Sequence, residues 1–282
     1  MIFDSCGKYI FYDGAMGTML QKYGLKPGAK PDLMNLTAPD AVEGIHRMYV
    51  EAGSDIICTN TFGSNALNLE GTGTDPAEVI TRAVEIAKRA CSGKVKVALD
   101  IGPTGRVLEP TGDFPYNRAY EIFKEMAIAG DKAGADFAAI ETMSCLVELK
   151  AAMTAVKDNT GLPILATMTF EKSGCTFMGC TPESFVEAAE AAGAAAVGLN
   201  CSLEPPEMLA TAERIAKATK LPLIVKPNAG LPDGESGEYH TGAEEFANQM
   251  VEFAKIGVRI IGGCCGTTPE YIRELKKAYM EL

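Results

Sequence analysis

Cys264 and Cys265 stand side by side among glycines in "GGCCGTTPE", residues 262–270, and Cys201 closes the apolar stretch "AAAVGLNCS". Deprotonated thiols are soft ligands, and three of them brought together would hold a thiophilic ion such as zinc. Three protein ligands with a fourth position open is the catalytic arrangement, whereas structural zinc sites are usually closed by four. The chain has two histidines, His46 and His240, so a histidine-rich centre is ruled out. Successive residues of a regular strand point to opposite faces. A Cys–Cys pair therefore reaches one ion only where the chain leaves strand geometry, and Gly262, Gly263 and Gly266 are expected to allow it. Spacing alone leaves Cys145, Cys175 and Cys180 open as alternative ligands or as pocket lining. Cys6, Cys58 and Cys91 read as small buried hydrophobes.

The elements that would position these thiols repeat along the chain. "YIFYDGAMG" reads as a strand, "AVEGIHRMYVEAG" as a helix, "SDIICTNTF" as a strand and "PAEVITRAVEIAKRA" as a helix. "KVKVALDIGPTG", "ADFAAIETM", "LPILATMTF", "AAAVGLNCS", "LPLIVKPNAG" and "VRIIGGCCG" continue the strands, each followed by a stretch of helical periodicity. These strands are near-continuous apolar runs, as expected where helices cover one face and a barrel interior the other. Thr181-Pro182 and Thr268-Pro269 look like helix starts with a capping hydroxyl ahead of proline. Eight units in 282 residues, with no linker between them, predict a single (β/α)8 TIM barrel spanning residues 1–282. A doubly wound open sheet is the alternative, but no glycine-rich dinucleotide fingerprint opens the first unit.

In such a barrel the site is built at the C-terminal ends of the strands. Those ends carry Asp13-Gly14-Ala15, Thr59-Asn60-Thr61, Asp100, Glu141-Thr142, Thr167, Asn200-Cys201, Asn228 and Cys264-Cys265. Apolar strands that each finish in a polar or thiol residue describe the rim of one pocket. The sixth and eighth strands are separated by one strand, so Cys201 is expected within reach of the cysteine pair. Net charge of −11 disfavours nucleic acid or an anionic membrane as partner. No apolar run approaches the roughly 20 residues a bilayer requires. The opening "MIFDSCGKYIFYDGAMG" lacks the pattern of a secretory leader, so reduced thiols and a cytoplasmic location are expected.

Taken in order, "DGAMGTMLQ", "HRMYVEAGSDIICTNTFGSN", "DIGPTG", "ETMSCLVELKAA", "GLNCS" and "GGCCGTTPEYI" resemble the homocysteine S-methyltransferase family over essentially the whole chain. The resemblance implies a zinc-dependent barrel that methylates homocysteine to methionine, with Cys201, Cys264 and Cys265 as the zinc ligands and the substrate held as a zinc-bound thiolate. "GPTGRVLEPTGD" and "ETMSCLVELKAA" look most like the homocysteine-binding module of cobalamin-dependent methionine synthase. That implies a methyl donor in the form of methylcobalamin, a corrinoid on a partner protein, and a further methyltransferase that supplies the methyl group. A naturally stand-alone subunit is expected over an excised module. S-methylmethionine- or betaine-type chemistry, another thiol acceptor, or a non-catalytic barrel with structural zinc are the alternatives. For the amino-acid end of the substrate, Asp13 and Glu141 would pair with the ammonium, and backbone N–H groups around Gly14 and Ala15 would suit the carboxylate. Family likeness places Thr59 near the substrate as well. The amide oxygen of Asn228 is expected at the open metal position in the absence of substrate.

Overall fold

The computed structural model describes residues 7–231 and 239–282; Cys6 lies outside them. Eight strands form one sheet: β1 Ile10–Phe11, β2 Ile56–Cys58, β3 Lys96–Ile101, β4 Phe137–Met143, β5 Ile164–Met168, β6 Ala196–Asn200, β7 Leu223–Lys226 and β8 Ile260–Ile261. Every neighbour pair is parallel, in the order β1-β8-β7-β6-β5-β4-β3-β2. A parallel bridge between Tyr12 and Ile56 joins the two ends, and Asp55 N–H donates to the Phe11 carbonyl at 2.7 Å. The sheet is thereby closed into the (β/α)8 barrel expected from the sequence.

Helices cross back between successive strands: Pro39–Ala52, Pro76–Cys91, Tyr116–Lys132, Leu146–Asn159, Pro182–Ala192, Pro205–Ala218, then Ala243–Met250 with Glu252–Lys255, and Pro269–Met280 after β8. None among the described residues is long and apolar enough to cross a membrane. Their ends follow the local chemistry. Thr181 caps its helix by accepting the Ser184 N–H at 3.2 Å, and Gly53 ends Pro39–Ala52 at a φ of 105°, where a Cβ would be strained. Thr268, expected to cap in the same way, makes no side-chain cap bond.

Three strands are shorter than their apolar stretches. "YIFYDGAMG" contributes two strand residues before a short helix, Met16–Gln21; "SDIICTNTF" contributes three; "VRIIGGCCG" contributes two. In each case the chain turns away at the rim, where side chains from the loop are needed in the pocket.

Alternation along the strands sorts the interior. Val97, Leu99 and Ile101 of β3 pack outward under the helices, while Ile10, Ile56, Ala98, Phe137, Ala139, Leu165, Ala196, Ile224 and Ile260 meet as a separate cluster inside the barrel. Two residues further toward the C-terminal end, the same inward register reaches Tyr12, Cys58, Asp100, Glu141, Thr167 and Lys226, and on β6 it reaches Asn200 four residues beyond Ala196. The apolar plug thus ends in a polar layer, and that layer is the floor of the site.

Candidate metal and substrate site

The three thiols arrive from two directions. Cys201 follows β6 with a φ of 64°, and Ser202 after it has 62°, a left-handed turn that non-glycine residues seldom adopt. Its N–H is held by the Lys226 carbonyl at 3.0 Å. The cysteine pair follows β8 and is pinned along β7's exit: Cys264 N–H donates to the Pro227 carbonyl at 2.8 Å, and Cys265 N–H to Asn228 Oδ1 at 3.1 Å. Together these bonds bring the sulfurs of Cys201, Cys264 and Cys265 within 4.8 Å of one another, with Cys201 and Cys265 at 3.9 Å.

The glycines around the pair act differently from the expectation of backbone freedom. Gly266 alone of the three has a positive φ, 82°. A Cβ on Gly262 would meet Tyr12, and one on Gly263 would overlap Thr267, so both are required by close approach. Cys145, Cys175 and Cys180 join no such cluster of ligand atoms among the described residues, and Cys91 is buried.

A tetrahedral zinc with bonds of about 2.3 Å to sulfur sets its sulfurs about 3.8 Å apart. The 3.9 Å pair and the all-thiol donor set fit that ion. The sulfurs are also electrostatically coupled. Hydrogen bonding from Cys264 and Cys265 holds the Cys201 thiol well below its ordinary range, and sharing that charge pushes the other two up.

Facing the thiols is the polar layer of the barrel. Glu141 was expected to find a cation, and it does so within the protein: Lys226 Nζ bonds to its carboxylate, the two side chains being 5% and 12% exposed. Lys226 also lies 4.4 Å from the centre of the Tyr12 ring. Burial alone would pull this ammonium down, but Glu141 and the neighbouring acidic groups outweigh it and hold it above the usual lysine range. Asp13 Oδ2 accepts the Cys58 N–H at 2.8 Å, and burial pushes its carboxyl up to about 7. Asp100 too is pushed well above the usual carboxylate range, by burial and then by Glu141. One ligand atom each from Cys58, Asp100 and Glu141 falls within 4.8 Å of the others.

The three thiols, Asp13, Cys58, Asp100, Glu141 and Lys226 line a cavity of about 560 Å³ at the C-terminal end of the strands, along with Gly14, Ala15, Thr59 and Thr142. The Ala15 N–H, expected to be available for a carboxylate, instead points to Thr267, 3.2 Å from its hydroxyl. Gly14 is packed against Thr267 and Tyr49, leaving no room for a Cβ. The Thr59 hydroxyl accepts the Asp100 N–H at 3.1 Å and lies 2.6 Å from that of Thr61. The amide oxygen of Asn228, which the sequence reading assigns to an open metal position, accepts the Cys265 N–H at 3.1 Å. A second, larger cavity of about 720 Å³ lies at the other end of the barrel, where Asp136 bonds both Lys88 and Lys96; none of the clustered thiols reaches it.

Two contributors carry no role in the sequence reading. Asn200 is fully buried; its Oδ1 accepts Thr142 N–H at 2.9 Å and the Thr167 hydroxyl at 2.7 Å, and its Nδ2 reaches Cys264 Sγ at 3.8 Å. Lys226 is the other, and the strand alternation of Leu223-Ile224-Val225-Lys226 was the signal that points it inward.

Comparison with known proteins places this geometry. A family model described as homocysteine S-methyltransferase matches residues 10–279. The methionine synthase of Mycobacterium leprae (strain TN) is 35% identical over 291 residues, covering 94% of this chain and 24% of that protein. That of Mycobacterium tuberculosis (strain ATCC 25618 / H37Rv) is 32% identical with the same coverage, so the chain spans about a quarter of each. Among solved structures, the metallated form of the homocysteine methyltransferase MmuM from Escherichia coli shares the fold with a TM-score of 0.85, at 22% identity, over 98% of this chain and 99% of that one.

Proposed function

We propose that this chain, which belongs to the homocysteine S-methyltransferase family, transfers a methyl group to the sulfur of homocysteine to give methionine. Family membership makes it a methyltransferase enzyme. The observation that carries the finer reading is the trio of thiols gathered across a cavity from a layer of buried carboxylates. Cys201, Cys264 and Cys265 would hold zinc, whose charge favours the deprotonated, nucleophilic form of the substrate sulfur.

The chain's own residues do the rest. Asn228, by binding Cys265 N–H, and Asn200, by reaching Cys264 Sγ, fix the thiols that would hold the ion. The left-handed turn at Cys201 aims its sulfur at the same point. At the far side, Asp13 and Glu141 give the pocket the negative character that an amino-acid ammonium requires, with Thr59 bracing the wall and Gly14 and Ala15 shaping the rim. Water is limited by the apolar plug beneath and by Tyr12 and Lys226 at the floor.

As donor we propose methylcobalamin on a separate corrinoid protein, charged in turn by another methyltransferase. Support comes from the identity to methionine synthases of which this chain spans a quarter. It comes also from the surface: Tyr23, Phe62, Val107, Phe177 and Leu231 are exposed apolar side chains, and all sit in strand-to-helix connections at the site's end of the barrel. The match over residues 10–279 supports residues 1–282 as one homocysteine-binding barrel. The eight described cysteines are all free, which agrees with a reducing cytoplasm.

The test is a methyl-transfer assay with zinc-loaded protein, homocysteine and a panel of donors: methylcobalamin, S-methylmethionine and betaine. Methionine should form with methylcobalamin. Cys264→Ala should lose both zinc and turnover while keeping its helical circular dichroism; full zinc in that variant would refute the ligand set. Turnover with S-methylmethionine or betaine alone would move the donor to a small molecule.

A further inference from the structure

We infer that Asp100 receives the substrate's ammonium and sets the preference for an amino-acid thiol over a plain one. The inference rests on the homocysteine reading above and adds to it a residue with a measurable part.

Four carboxylates border the cavity, and three already have bonding partners. Asp32 Oδ1 accepts the Gly63 N–H at 2.9 Å and the Ser64 hydroxyl at 2.7 Å. Glu141 is bonded to Lys226. Asp13 takes the Cys58 N–H at 2.8 Å. Asp100 is different: the residue is 8% exposed, and its Oδ1 is buried with no hydrogen-bond partner. Buried polar atoms are rarely left so, because removing an oxygen from water without replacing its bonds is unfavourable. Asp100 lines the cavity, so the partner its oxygen lacks can come from what the cavity holds.

Charge says what that partner is. Of the two lysines that line the cavity, Lys226 is bonded to Glu141 and Lys30 acts on Asp32. Burial and Glu141 push the Asp100 carboxyl well above its usual range; an arriving ammonium favours its ionised form, which a neutral or anionic ligand would not. Geometry agrees, since a carboxylate oxygen of Asp100 lies within 4.8 Å of one on Glu141, close enough for one N–H₃ group to contact both. The position is also fixed. Asp100 N–H donates to the Thr59 hydroxyl at 3.1 Å, and its carbonyl accepts from the Thr61 hydroxyl at 2.7 Å, so the backbone is held on both sides while the carboxylate is left for a ligand.

Equilibrium binding to the zinc-loaded protein tests this with two thiols, homocysteine and 4-mercaptobutanoate, which keeps the thiol and the carboxylate and lacks the amine. The unsubstituted protein should prefer homocysteine. Asp100→Asn and Asp100→Ser should each weaken homocysteine at least tenfold and shift 4-mercaptobutanoate by less than twofold, so that normal binding of the analogue also shows the variant to be folded. Asp100→Glu, which keeps the charge, should recover part of the preference. If both variants retain the unsubstituted preference, or weaken both thiols equally, Asp100 is not the ammonium acceptor. If the unsubstituted protein binds neither thiol, the homocysteine reading itself falls, and the role of Asp100 with it. Preference intact in the unsubstituted protein and in the variants overturns the role of Asp100 alone.

Discussion

An ammonium inside a barrel is stable only beside an opposite charge, and Lys226 and Glu141 each make the other tolerable. Removing one partner leaves an unpaired buried ion. Lys226→Met should therefore destabilise the protein by about 3–5 kcal/mol in urea unfolding. Adding Glu141→Gln to it should recover a large part of that loss, because the stranded charge is gone. A double variant no more stable than the single would show that packing, not charge, was lost. The same pair shows how far single residues were legible. Glu141 at a strand end announced a buried carboxylate in need of a cation, and the sequence reading assigned that cation to the substrate. The structure supplies Lys226, which alternation along β7 aims inward but which a pass along strand ends for thiols and carboxylates leaves out. Cys201, Cys264 and Cys265 were legible because adjacent cysteines among glycines at a strand end are an unusual pattern, and the structure brings the three sulfurs together. The roles of Asn200 and Asn228 were not, since a buried amide's partners depend on loops distant in sequence.

The helix Pro39–Ala52 carries His46 on its buried face, with neither ring nitrogen hydrogen-bonded. Burial holds its pKa down at about 4, against an ordinary value near 6.5. The folded chain therefore binds fewer protons here than the unfolded chain, and stability falls as pH drops from about 6.5 toward 4. A gap of that size is on the order of 3 kcal/mol. His46→Leu should abolish this contribution, so its stability relative to the unsubstituted protein should rise by that order between pH 7 and pH 4. Urea midpoints at the two pH values measure it, and a pH-independent difference would mean the imidazole is not buried neutral. Other elements divide by how local their causes are. Helix boundaries followed from capping and periodicity, as at Thr181 and Gly53. Strand ends did not, because where β1, β2 and β8 leave the sheet is set by the pocket they must surround.

At the scale of the whole molecule, eight short apolar strands could be counted from the sequence because a parallel barrel buries both strand faces. Closure, through Tyr12 and Ile56, depends on two residues at the far ends of the sheet and has no sequence signal of its own. This closed frame sets β6 and β8 on either side of β7, so that thiols 64 positions apart meet at 3.9 Å. The barrel core beneath the thiols is apolar and holds none of the three cysteines, so the fold is expected to survive loss of the ion, whereas the proposed chemistry is not. X-ray absorption at the zinc edge, recorded on the loaded protein before and after homocysteine, tests the central claim most directly. Three sulfur neighbours at about 2.3 Å with one lighter atom should become four sulfurs when the substrate is added. A first shell that keeps three sulfurs in the presence of bound homocysteine, or that holds fewer than three at the outset, would contradict it.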